Sequence, residues 1–209
     1  MPEPTLSRYA APISVVAGVL VVATRLVIML TTPTEVGQLK AYVLTATHAI
    51  NGVASLVAFA LLIVALVAAY GREPRPAGVF GAIAVGAAIV GTVFMAGDWW
   101  YEAFAVPRMA EVASQAMDAF VGGRLLVGGL ASFALLGIGW VLFGVASLRA
   151  HVYPAGISIA ILVGGILSGV PIGMVYLSGG VILGLAFVWL GAWMIANARV
   201  GAAPEPAAI

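Results

Sequence analysis

The chain has no cysteine, and its 209 residues include only nine Lys or Arg, eight Asp or Glu and two His. Without thiols there can be no disulfides, zinc–thiolate centres, iron–sulfur clusters or thiol redox chemistry. Nine basic residues against eight acidic ones leave no excess charge to hold a phosphate backbone, which excludes nucleic acid as a partner. The two histidines, His48 and His151, flank spans at opposite membrane faces and cannot ligate one haem together; the single lysine, Lys40, sits at a span edge and does not suit a retinal Schiff base. Phosphate-binding loops, nucleophile elbows and His-rich metal sets are also missing, so neither a metal nor a cofactor is expected. Charged residues make up 8% of the chain, against about 25% in soluble domains. A soluble fold is excluded.

What the chain does have is apolar bulk: 63% apolar residues, 26 glycines and a mean hydropathy of +1.15. In hydrocarbon every backbone polar group must be bonded internally, so each crossing is a helix of about 20 residues with few charges. The gaps between charges count the crossings. Charge-free stretches run over 9–24, 41–71, 76–97, 125–148 and 150–198, and the last is long enough for two helices broken at Gly169-Val170-Pro171-Ile172-Gly173. The expectation is an all-α integral membrane bundle of six transmembrane helices within residues 1–200, spanning near 11–30, 49–70, 77–97, 124–148, 155–171 and 179–198, with a disordered tail over 201–209. Starts at Ala11-Pro12, Pro76-Ala77-Gly78 and Pro154-Ala155-Gly156, and the recurrence of Phe59-Ala60-Leu61-Leu62 as Phe133-Ala134-Leu135-Leu136, suggest three tandem helical hairpins. Small-residue ridges at Gly156/Ala160/Gly164, Gly165/Gly169 and Gly180/Gly184 suit close packing within the bundle.

Arg8, Arg72, Arg75, Arg149 and Arg199 flank the side that holds both termini, while Lys40, Arg108 and Arg124 flank the other, where Glu35, Asp98, Glu102, Glu111 and Asp118 also gather. By the positive-inside rule both termini are cytoplasmic and the protein is placed in the cell (inner) membrane, its first helix uncleaved. Between the third and fourth spans, Met109, Val112, Ala113, Ala116, Met117 and Phe120 fall on one helical face, predicting an extracytoplasmic amphipathic helix over 107–120.

The exceptions to apolarity concentrate at that outer level. Arg25 lies inside the first span and calls for a buried partner, for which Asp98, Glu102 and Asp118 are the candidates. Thr45, His48, Asn51 and Ser55 form a polar stripe on the second helix, Asp98 and Glu102 stand one helical turn apart beside Trp99 and Trp100, and Arg124 opens the fourth helix. Arg25, His48, Asn51, Asp98, Trp99, Trp100, Glu102 and Arg124 are therefore the expected lining of one outer-leaflet polar cavity.

The run GDWWYEAFAVP over 97–107, with the six-span pattern, resembles uncharacterised bacterial polytopic membrane proteins that carry domains of unknown function. A fainter resemblance, through the Trp-rich segment with Asp98 and Glu102, is to integral-membrane terpene cyclases, and it implies acidic residues that protonate a polyprenyl substrate. The first functional expectation is a multi-pass protein that binds a lipid, an apolar small molecule or a partner subunit in the cavity, with the lipid bilayer as its constant partner. A second is a membrane-embedded acid–base enzyme, with Glu102 or Asp98 as proton donor, Arg25 or Arg124 tuning it, and Trp99 and Trp100 facing a cationic intermediate. A third is a small transporter using the Pro171 turn and the polar stripe.

Overall fold

In the computed structural model, which describes residues 9–35, 38–72, 78–112 and 123–200, the secondary structure is helical. We number the helices α1 (Ala10–Thr31), α2 (Leu39–Val43), α3 (Ala46–Arg72), α4 (Gly78–Trp100), α5 (Val106–Val112), α6 (Gly123–Ala150), α7 (Ala155–Ser168) and α8 (Gly173–Val200), with a π-helical turn over Tyr101–Ala105 joining α4 to α5. Five helical segments are long and apolar enough to cross a membrane, so the chain is an all-helical, multi-pass membrane protein. The fifth expected span is shorter than foreseen: α7 ends at Ser168 after 14 residues, a rise of about 21 Å against a hydrocarbon core of about 30 Å. Its stop lies where the breakers predicted it, at Gly169 ahead of Pro171.

Each long helix packs on its neighbours in sequence, and α1 packs on α8, so the helices close into a ring in chain order. The pairs α1–α8 and α4–α6 make the most extensive contacts. Gly18 lies against Gly184 and Val188, Gly191 against Ala11, and Gly180 against Arg25, so α1 and α8 run antiparallel and their chain-terminal ends share one end of the bundle. The opposite end, where α1 and α4 finish and α3, α6 and α8 begin, we call the cavity end.

Sequence explains this packing through size more than through polarity. The buried face of α1 is Ser14, Ala17, Gly18, Val21, Thr24 and Arg25, whereas bulky Val16, Val19, Leu26 and Leu30 point outward. Lipid tails are as apolar as Leu, so helices gain by dispersion and close approach, and small residues turn inward. The glycine ridges work this way within the chain. Gly164 abuts Leu183, Gly165 abuts Trp140, Gly169 abuts Gly137, and Gly156 abuts Trp189. Several buried hydroxyls bond back to their own helices, among them Ser14 to the Ala10 carbonyl at 2.7 Å and Thr92 to that of Ala88 at 2.6 Å.

Between α4 and α5 the chain departs from the expected separate helix beginning at Pro107. Helix continues instead from Gly78 to Val112 through the π turn, and residues 113–120 of the expected 107–120 helix, Asp118 among them, lie outside the described residues, as does the 201–209 tail. Pro107 accounts for the departure. It has no N–H to give the Ala103 carbonyl, and its ring crowds that oxygen, so the preceding turn widens. The Val106 N–H accordingly bonds five residues back, to the Tyr101 carbonyl.

Candidate functional site

That widened turn creates an unmet acceptor. The α-type donor for the Glu102 carbonyl would be Val106 N–H, which serves Tyr101, and the π-type donor would be Pro107, which has none. His48 of α3 supplies the missing proton, with Nε2 at 3.0 Å from the Glu102 carbonyl oxygen. Because a carbonyl only accepts, Nε2 carries the hydrogen and the tautomer is fixed. Gly52, one turn further on, brings α3 into contact with Ala103 of the π turn. Tyr42 braces the imidazole edge-on at 5.3 Å between ring centroids. His48→Ala is expected to orphan the carbonyl and lower stability by about 1–3 kcal/mol, measured as thermal unfolding in dodecyl maltoside, and His48→Ala with Pro107→Ala should recover most of that loss by restoring ordinary helix.

Around this turn lies a cavity of about 640 Å³ at the cavity end of the bundle, lined from α1, α2, α3, α4, the π turn, α5, α6 and α8. Of the residues foreseen, His48, Asn51, Asp98, Trp99, Glu102 and Arg124 contribute to its wall. Trp100 does not. It is 55% exposed and leans on Phe104 at 5.9 Å, on the outward face, because a step of one helical residue turns it about 100° away from Trp99. Of the polar stripe, His48, Asn51 and Ser55 turn inward, while Thr45 precedes α3, is exposed, and accepts a bond from the His48 N–H.

Arg25 is fully buried but stands behind the cavity wall, and its partners differ from those expected. No carboxylate lies within ion-pair distance of it among the described residues. It donates through Nη1 to the Tyr176 hydroxyl at 2.6 Å and through Nη2 to Ser55 Oγ at 2.8 Å, while the Trp99 ring lies 4.2 Å from its Cζ. Phe59 and Tyr176 present further ring faces at 5.6 and 5.5 Å. The Tyr176 hydroxyl in turn donates a hydrogen bond to Met95 Sδ at 3.5 Å. Asp98 and Glu102 instead face the cavity. Aromatic faces and hydroxyls solvate the guanidinium in their place.

Tyr176, the hydroxyl partner of Arg25, is a site residue that the pattern of charged and polar exceptions does not mark. The available signal was Gly180, four residues on and thus on the same face of α8. A Cβ there would come within 2.9 Å of the Arg25 stem, so this glycine makes the groove in which the arginine lies. Comparison with family models, with curated proteins and with solved structures finds no match to this chain. Function must be inferred from the geometry of the site.

Proposed function

We propose that the protein is a six-crossing inner-membrane protein, with both termini cytoplasmic, that binds a lipid or lipid-like amphiphile in the cavity at its extracytoplasmic end. The observation that carries this is the cavity itself. At about 640 Å³ it falls within the usual range for small-molecule sites, and it combines apolar walls such as Ile28, Leu125 and Phe133 with a few polar groups. The shared end for the helices that begin and finish the chain supports an even number of crossings, with α7 crossing by means of the exposed residues at its Pro171 turn. The acid–base alternative has less support, because Trp100 faces outward and the Trp99 ring already carries the Arg25 guanidinium.

Gly128 offers a direct test. It lines the cavity, and a Cβ added to it meets nothing within 4 Å. Gly128→Trp should therefore fill the site without disturbing the fold. Native mass spectrometry of the wild type is expected to show a co-purified amphiphile, and the variant should lose it while its thermal midpoint holds. A wild type that carries no ligand and binds no added amphiphile, or a variant that retains binding, would remove the proposal.

Orientation is checked separately in this cysteine-free chain. Thr34→Cys, exposed beyond α1, should react with an impermeant maleimide on intact cells, and Asn197→Cys, exposed near the end of α8, should react only after lysis. The reverse pattern would invert the topology.

A further inference from the structure

We infer that the ligand of this cavity carries a protonated amine head, seated between Asp98, Glu102 and Asn51; the inference rests on the cavity being the binding site. Asn51 is 6% exposed and lines the cavity, and its carboxamide makes no hydrogen bond to the described residues. Buried amides are ordinarily paired, because an unmatched one forfeits its hydration. This side chain opens into the cavity, where its amide can pair with a ligand that displaces water.

Asp98 and Glu102 face the same space, and among the described residues no lysine or arginine nitrogen lies within 4.0 Å of either carboxylate. The nearest basic nitrogen to Glu102 is His48 Nε2 at 4.0 Å, and its proton is committed to the backbone carbonyl. Arg25 is held behind Trp99 and Tyr176, and Arg124 is exposed on the first turn of α6. The cavity therefore offers two neighbouring carboxyl groups, whose mutual repulsion a cation would relieve, and one neutral carbonyl acceptor. The rings of Tyr42, Tyr101 and Phe133 add to its wall, and their faces attract cations.

An ammonium with N–H donors matches this set. Its three donors match in number the two carboxyl groups and the Asn51 oxygen that line the same cavity, and Ile28, Leu125 and Phe133 supply apolar wall for its alkyl chain. An anionic head would be forced beside two carboxylates with only the exposed Arg124 to offset them. A hydroxyl head has one donor for three acceptors.

The test uses full-length protein in dodecyl maltoside and native mass spectrometry with hexadecylamine, hexadecanol and hexadecyl sulfate added together at equal concentration. Hexadecylamine adducts are expected to exceed either competitor by about tenfold, equivalent to ~1.4 kcal/mol. Asp98→Asn with Glu102→Gln should bring that ratio to within about twofold while hexadecanol binding persists, which also shows that the double variant is folded. Equal binding of all three probes to the wild type, or amine preference that survives the double substitution, would overturn the assignment of the head group. Gly128→Trp separates the two levels. If it abolishes binding of all probes but the amine shows no preference, the cavity stands and the head group does not; if it abolishes nothing, the cavity proposal fails as well.

Discussion

Arg25→Ala is expected to lower stability by about 3–5 kcal/mol, the largest effect of any single truncation at the site, read as a collapse of the thermal midpoint in dodecyl maltoside. Two losses combine. The side chain is fully enclosed, with Gly180 against its stem, so its removal leaves a void between α1 and α8. It also strips the Tyr176 hydroxyl and Ser55 of the donors at 2.6 and 2.8 Å, in a setting where water cannot replace them. Arg25→Met tests the cause by keeping the stem volume while removing the charge. Because a buried charge bears a desolvation cost that an apolar group does not, Met should be much less damaging than Ala. Tyr176→Phe should fall between, at about 1.5–3 kcal/mol, the range for a hydrogen bond to a charged group. If Arg25→Ala leaves the midpoint unchanged, the guanidinium box has no structural weight.

Gly18→Leu is expected to prevent the ring from closing, seen as loss of monodisperse protein after extraction. A Cβ at Gly18 would strike the Gly184 carbonyl and come within 2.8 Å of the Val188 nitrogen, so the obstacle is backbone and cannot rotate away. Ordinary overpacking costs about 1–3 kcal/mol because side chains yield; here α1 and α8 would have to move apart along their whole contact. The control is Gly86→Leu, the same exchange in a helix of the same bundle, where an added Cβ meets nothing within 4 Å. That variant should extract and unfold like the wild type. Equal behaviour of the two variants would show that the α1–α8 contact is not what closes the bundle.

Both substitutions bear on how far the fold could be read beforehand. The gaps between charges marked the apolar helices, because a charge in hydrocarbon is costly enough to punctuate the chain, and Pro171 with its glycines placed the last break, although the helix after it begins at Gly173 rather than near 179. The shortness of α7 and the continuity through Pro107 leave no mark in the local sequence. Proline at the start of a helix and proline following a π turn look the same in sequence, and only the Val106 bond to Tyr101 distinguishes them.

The candidate site was legible as a level and not as a set of pairings. His48, Asn51, Asp98, Trp99, Glu102 and Arg124 were foreseen at one depth, and the structure gathers them around one cavity. Depth follows from counting residues along a helix. Rotation about the helix axis, which sends Trp99 inward and Trp100 outward, depends on neighbouring helices whose packing no local pattern records.

By itself, then, the sequence determined the solvent in which this protein folds, the helical class, the approximate ends of the helices and the depth of their polar exceptions. Each of these is set by the transfer of residues between water and hydrocarbon, a property of composition and spacing. Tertiary structure alone decided that Arg25 is solvated by Tyr176, Ser55 and Trp99 rather than by an acid, that His48 completes a π turn, and that Trp100 and Arg25 stand outside the cavity lining. The physical reason is that such partners are separated by up to 151 residues in the chain and meet through close helix approaches, at Gly18, Gly180 and Gly184 between α1 and α8 and at Gly52 between α3 and the π turn.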